Sequence, residues 1–116
     1  MDYPERGSIY IVNFDPTIGA EIKKKRPALI IQNDHGNELS PLTIVAPITS
    51  RENAMYRVEV EIKAPEGGLK HNSIVLLNQI RTVDKRRLMQ YLGKLKPTTR
   101  HKIDEAIMVS LGVIEL

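Results

Sequence analysis

The apolar residues of this chain come in short runs closed by turn residues, and the best defined run carries positive charge at its mouth. It reads Lys24-Lys25-Arg26-Pro27-Ala28-Leu29-Ile30-Ile31-Gln32-Asn33. Leu29, Ile30 and Ile31 lie between Pro27 and the turn-forming Asn33-Asp34-His35-Gly36-Asn37, the pattern of a core strand. A guanidinium held at the start of such a strand faces solvent from a rigid scaffold. It suits a phosphate, because Arg offers a planar fork of donors and keeps its charge at any working pH. An ordinary strand preceded by a solvated basic loop would have the same local sequence.

The remaining runs argue for more strands. Ser8 to Phe14 is rich in β-branched and aromatic residues and stops at Asp15-Pro16. Pro16 to Lys25 has no apolar period and reads as a loop. Leu42 to Ile48 is another core strand, which must end, bulge or lie at an edge at Pro47, so Thr49-Ser50 falls just past a strand end. Arg57 to Ile62 alternates, with Val58, Val60 and Ile62 on one face and Arg57, Glu59 and Glu61 on a solvated one. Ala64 to Leu69 is a turn. Ser73 to Asn78 is a buried run continuing through Gln79-Ile80-Arg81.

Thr82 to Leu88 predicts one short helical turn capped by Thr82 or Asp84, and Tyr91 to Leu95 a last strand. From Thr98 the period changes: Ile103, Ala106, Ile107, Ser110, Leu111 and Ile114 recur at helical spacing. Thr98 or Thr99 can open this helix and Gly112 can close it. The expected fold class is mainly β with a C-terminal helix, a small antiparallel barrel or bent sheet.

At 116 residues the chain accommodates one core, so residues 1–116 are expected to form a single domain. Seventeen Lys and Arg against 14 Asp and Glu leave a net charge of +3, which permits a polyanionic partner. With no cysteine there is no disulfide framework, thiolate nucleophile or cysteine metal site. The N-terminus lacks a signal-peptide core, and no apolar run is long enough to span a bilayer. The expectation is a cytoplasmic protein with no membrane association.

His35, His71 and His101 lack metal-pair spacing, and no cofactor or metal is expected. Gly67-Gly68 lacks the Lys-Ser/Thr and helix of a phosphate loop, and there is no G-x-S-x-G elbow. What remains is Arg26, the Lys23-Lys24-Lys25 cluster, Thr49-Ser50, Asn33, Gln79 and the basic stretch Arg81 to Arg87, together a candidate nucleic-acid surface. RNA cleavage needs little more than this. The ribose 2′-OH is the nucleophile, so an enzyme has only to align it, stabilise the phosphorane charge and manage two proton transfers.

Five blocks then carry a resemblance. Arg6-Gly7-Ser8-Ile9-Tyr10, Asp15-Pro16-Thr17-Ile18-Gly19-Ala20-Glu21, Lys25 to Asp34, Val45-Ala46-Pro47-Ile48-Thr49-Ser50 and Leu77-Asn78-Gln79-Ile80-Arg81-Thr82-Val83-Asp84 occur in order. Together they resemble the MazF/PemK toxin endoribonucleases over essentially the whole chain. The resemblance implies an SH3-like barrel shared with the CcdB gyrase poisons, a homodimer, and metal-independent cleavage of single-stranded RNA. It also implies a cognate antitoxin that occupies the RNA groove.

The family's catalytic arginine and threonine fall on Arg26 and Thr49. The RNA-binding residues then expected are Thr17, Lys23, Lys24, Asn33, Ser50 and Gln79. Departures from the family pattern at Ser8, Asn78 and Met55-Tyr56-Arg57 bear on which bases are read. Arg does not readily lose a proton, so the general base stays open among Glu21, Asp15 and a water. A non-enzymatic topoisomerase poison or binding module on the same barrel is the alternative. Those poisons act through their last residues, whereas here Ser110 to Leu116 is apolar and reads as core.

Overall fold

The computed structural model describes residues 2–15 and 25–115. Its strands are β1 (Ser8–Asn13), β2 (Lys25–Ile30), β3 (Leu42–Ser50), β4 (Glu59–Ile62), β5 (Ser73–Leu76), β6 (Arg81–Asp84) and β7 (Leu88–Lys94). Helix α1 (Asp34–Leu39) follows β2, and α2 (Pro97–Ser110) follows β7. The loop expected from Pro16 to Lys25 lies outside the described residues except for Lys25, which opens β2.

All pairings are antiparallel, in the order β4-β5-β3-β2-β1-β7, with β6 also paired to β3. Among the described residues β4 and β7 do not pair, so the expected barrel is a sheet that bends without closing. Register shifts of β1 against β7 mark where it bends. Beside β7 the Gly67-Gly68 turn packs backbone to backbone. A Cβ on Gly68, at φ +75°, would lie 2.0 Å from the Leu92 carbonyl oxygen, and one on Gly93 would lie 2.6 Å from Gly67.

Central strands need apolar residues on both faces, and β2 has them. Leu29 joins Ile9, Ala46, Ile48, Val60, Ile62 and Val75 in a core covered by Ile103 and Ala106 of α2. Ala28 and Ile30 face the other way, into a second core with Val12, Phe14, Val45 and Val83.

Pro47 does not end β3. Ile31 N donates to Ile44 O at 2.9 Å, so the backbone groups of Ile44 and Ala46 point toward β2 and those of Val45 and Pro47 point away. On that far side β3 pairs with β6 up to Val45 and with β5 from Ile48. The missing N–H of Pro47 therefore faces the place where one partner strand gives way to the other. Consequently β3 continues through Thr49 and Ser50, which are strand residues. The run expected to be continuous from Ser73 to Arg81 breaks at the same place into β5, a turn and β6.

The polar stretch after β2 is a helix, too short to show a period, that uses Asn33 as its cap. Asn33 Oδ1 accepts from Gly36 N at 2.8 Å. Thr82 lies in β6, and Asp84 caps the one-turn helix of Lys85–Arg87 as expected. Helix α2 starts with Pro97 at its first turn and Lys96 at the cap, without a side-chain cap bond, so neither threonine serves there. It ends in a Schellman motif at Gly112 (φ +75°), where Gly112 N donates to Val109 O and Val113 N to Met108 O.

Two burial expectations are overturned. Leu111 and Val113 are 59% and 68% exposed, because the Schellman turn leads the chain off the sheet, so the C-terminal stretch is not core. Glu59, assigned to a solvated face, is buried because Arg51 folds back onto it and Met55 N donates to its carboxylate at 2.8 Å.

Candidate nucleic-acid interface

The β2–β3 ladder runs from Ile30 opposite Val45 to Ala28 opposite Pro47, and there the paired register stops. Continued by two residues it sets Arg26 opposite Thr49. Side chains alternate along a strand, so Arg26 lies on the face of Ala28 and Ile30, and Thr49 on that of Val45 and Pro47. The pair thus stands at the rim of the second core, where the strands diverge. Neighbouring Val12, which pairs with Arg26 on β1, is fully buried and supplies an apolar wall.

Arg26 and Thr49 are each half-buried. The Arg26 Nε is closed off from solvent and has no hydrogen-bond partner among the described residues. Buried donors are normally paired, so an unpaired guanidinium N–H at this rim suits an acceptor. Packing half-buries the side chain and leaves its Nε uncommitted among the described residues, an arrangement suited to a phosphate group.

The basic stretch Arg81 to Arg87 is largely committed elsewhere. Arg81 lies over the Phe14 ring at 5.3 Å, and Arg86 forks onto Asp84, holding its carboxyl below the usual range. Lys85 donates to the Asn37 carbonyl. Arg87 donates to the carbonyls of Asn13, at 3.1 Å, and Asp15. This stretch fixes the end of β1 beside Arg26 rather than offering a row of free cations.

The other expected residues divide by position. Ser50 is exposed but lies on the opposite face of β3 from Thr49, paired with Ser73. Gln79 is exposed in the β5–β6 turn, which must pass β3 near Ala46 and Pro47, on the side away from β2. Asn33 caps α1 at the far end of β2, seven residues from Arg26 and roughly 20 Å along the strand direction. Thr17, Lys23 and Lys24 lie outside the described residues, as does Glu21.

Residues that sequence reasoning did not single out hold the neighbouring loop. Arg51 pairs with Glu59, and the Arg51 hydrogen bond holds the Glu59 carboxyl below the usual range. Glu61 accepts from Ala54 N at 2.8 Å. The two carboxylates thereby tie down the segment that follows Thr49 and Ser50. The only signal was the clustering of Glu59 and Glu61 after a polar loop, which is equally the signature of an exposed strand face.

Residues 5–111 match the family described as PemK-like, MazF-like toxin of type II toxin-antitoxin systems. The chain is 42% identical to endoribonuclease EndoA of Bacillus subtilis over 112 residues, covering 96% of this chain and 97% of that protein. It superposes on MazF from Deinococcus radiodurans with a TM-score of 0.81 at 27% identity, covering 97% and 99% of the two chains. A MazE-MazF structure from the same organism matches at a TM-score of 0.76 and 25% identity, covering 97% and 98%. With the family matched across most of its length and a relative of that identity spanning nearly all of it, the chain belongs to the PemK-like, MazF-like toxins of type II toxin-antitoxin systems.

Proposed function

We propose that this endoribonuclease toxin cleaves single-stranded RNA by attack of a ribose 2′-OH on the adjacent phosphorus, without a metal ion. The bond from the 2′ oxygen to phosphorus forms as the bond to the 5′ oxygen breaks. The products are a 2′,3′-cyclic phosphate and a 5′-OH. The 2′ proton passes to a base and the 5′ oxygen takes up a proton. The guanidinium of Arg26 donates to the phosphorane oxygens as their charge grows, and the Thr49 hydroxyl holds the phosphate in line. Glu21, Asp15 or a water serves as base, since a guanidinium does not readily give up its proton.

The observation that supports this reading is the half-buried Arg26, its buried Nε without a partner among the described residues, at the register position opposite Thr49 where β2 and β3 diverge. Ser50 and Gln79, on adjacent segments, bind the RNA together with Thr17, Lys23 and Lys24, with Asn33 the outlying member. A cognate antitoxin, as in the MazE-MazF structure of the relative, places acidic and apolar side chains over the same groove. The active species is a cytoplasmic homodimer of this single domain, a state that gives cover to apolar side chains such as Leu111 and Val113.

The test is a chimeric oligonucleotide carrying one 2′-deoxy residue immediately 5′ to the cleaved phosphate. The expected result is an intact oligonucleotide under conditions that cut the all-ribose strand. Cleavage at the substituted position contradicts the mechanism.

A further inference from the structure

We propose that a cleft of about 340 Å³ on the other side of the β2–β3 divergence is a subsite for the base of a nucleotide flanking the scissile phosphate. This rests on the reaction proposed above and extends it to substrate selection. The floor is apolar, with Ile11, Pro27 and Leu92, and the polar side chains around it are Ser50, Lys70, His71, Ser73 and Gln90. Gln90, Ile11 and Pro27 form one row across β7, β1 and β2, because Gln90 pairs with Ile11 and Ile11 with Pro27.

Position ties this cleft to the reacting phosphate. Pro27 and Ser50 are the chain neighbours of Arg26 and Thr49, turned to the opposite face. Past the last ladder pair, Ala28 and Pro47, no register closes the two strands together. A strand of RNA whose phosphate rests on Arg26 and Thr49 passes between the diverging strands and lays its next base in the cleft.

The chemistry fits a base better than a phosphate. The floor offers apolar contact to a ring, and the cleft is of ligand-binding size. The Gln90 amide carries both donor and acceptor for a base edge, and the exposed Lys70 ammonium is a point charge for the phosphate that follows. Neither the Gln90 amide nor the Lys70 ammonium makes a side-chain hydrogen bond or ion pair among the described residues.

The experiment uses the full chain and a set of RNA oligonucleotides in which single positions flanking the cleavage site carry an abasic ribose. In the unmodified protein, one abasic position is expected to lower kcat/KM about 10-fold to 100-fold. In Gln90→Ala that penalty is expected to shrink to within about threefold, with the penalties at other positions unchanged. The same set with a 2′-deoxy residue at the scissile position, which blocks cleavage, reads the subsite as binding affinity. Lys70→Ala is expected to weaken binding of all sequences and reduce the salt slope by about one.

Identical abasic penalties in Gln90→Ala and the unmodified protein at every position would overturn the subsite. A binding penalty relieved by Gln90→Ala in a protein that leaves the all-ribose strands intact would support the cleft and overturn the reaction. Both variants alter exposed side chains, and circular dichroism checks that each is folded.

Discussion

Arg26 and Thr49 occupy opposite register positions two residues beyond the last pair of the β2–β3 ladder, and the Arg26 Nε is buried without a hydrogen-bond partner among the described residues. The arrangement depends on Pro47. Because its missing N–H falls where β3 exchanges β6 for β5, the strand runs on and carries Thr49 to the level of Arg26. Two strands separated by a helix thereby carry a guanidinium and a hydroxyl to the same level of the sheet.

Replacing Arg26 by Ala is expected to lower kcat at least ~10²-fold with little change in KM, because its donors act most strongly on the phosphorane. Arg26→Lys keeps the charge but loses the fork, and is expected to fall between the two. Single-turnover kinetics on a short RNA check this. A change confined to KM would make Arg26 a binding residue only.

Thr49→Val keeps the branched shape in β3 and removes the hydroxyl. The expected loss in kcat/KM is about 10-fold to 100-fold, with Thr49→Ser close to the unmodified protein. Thermal melting separates this from a folding defect. Equal activity for Thr49→Val and the unmodified protein would remove Thr49 from the mechanism.

Much of this fold was legible in the sequence because strand and helix periods are local. The Ser8 to Asn13 strand, the capping role of Asp84 and the turn at Gly112 all follow from nearest neighbours. Arg26 and Thr49 were legible as chemical types, and through their place in a recognised pattern. Their register was not, since it depends on how β3 changes partners, a tertiary event that leaves no periodic trace. Glu59 was misjudged for a related reason. Alternation marks it as outward, but Arg51, eight residues away, returns across the loop to cover it. Asn33 was read as a polar strand-end group, and its oxygen is engaged by the helix that the turn turned out to be.

The Arg51–Glu59 pair predicts a pH dependence of stability. Its hydrogen bond lowers the folded-state pKa of Glu59, so the pair stabilises above the ordinary Glu value of about 4.3. That contribution is lost as pH falls through the lower folded value. Glu59→Gln is expected to lower Tm at neutral pH, with the difference from the unmodified protein narrowing steadily below about pH 4.3. Melting curves from pH 3 to 7 check this, and a pH-independent difference would contradict it.

Asn37 is fully buried between α1 and β3. Its Oδ1 accepts from Thr43 Oγ1 at 2.7 Å and Gln32 Nε2 at 3.1 Å, and its Nδ2 donates to Gln32 O at 3.0 Å. Asn37→Leu leaves the buried Thr43 hydroxyl without this acceptor, while half-buried Gln32 keeps its bond to the Leu42 carbonyl. The expected cost is about 2–3 kcal/mol, lowering Tm by roughly 10 °C, as thermal or urea denaturation will show.

The most direct test of the central claim is the chemistry of the product ends when RNA is cut in excess EDTA. Mass spectrometry of the fragments should find a 2′,3′-cyclic phosphate on the upstream piece and a 5′-OH on the downstream one, with both lost in Arg26→Ala. A 5′-phosphate on the downstream fragment, or RNA left intact by folded protein until a divalent ion is restored, would contradict the account.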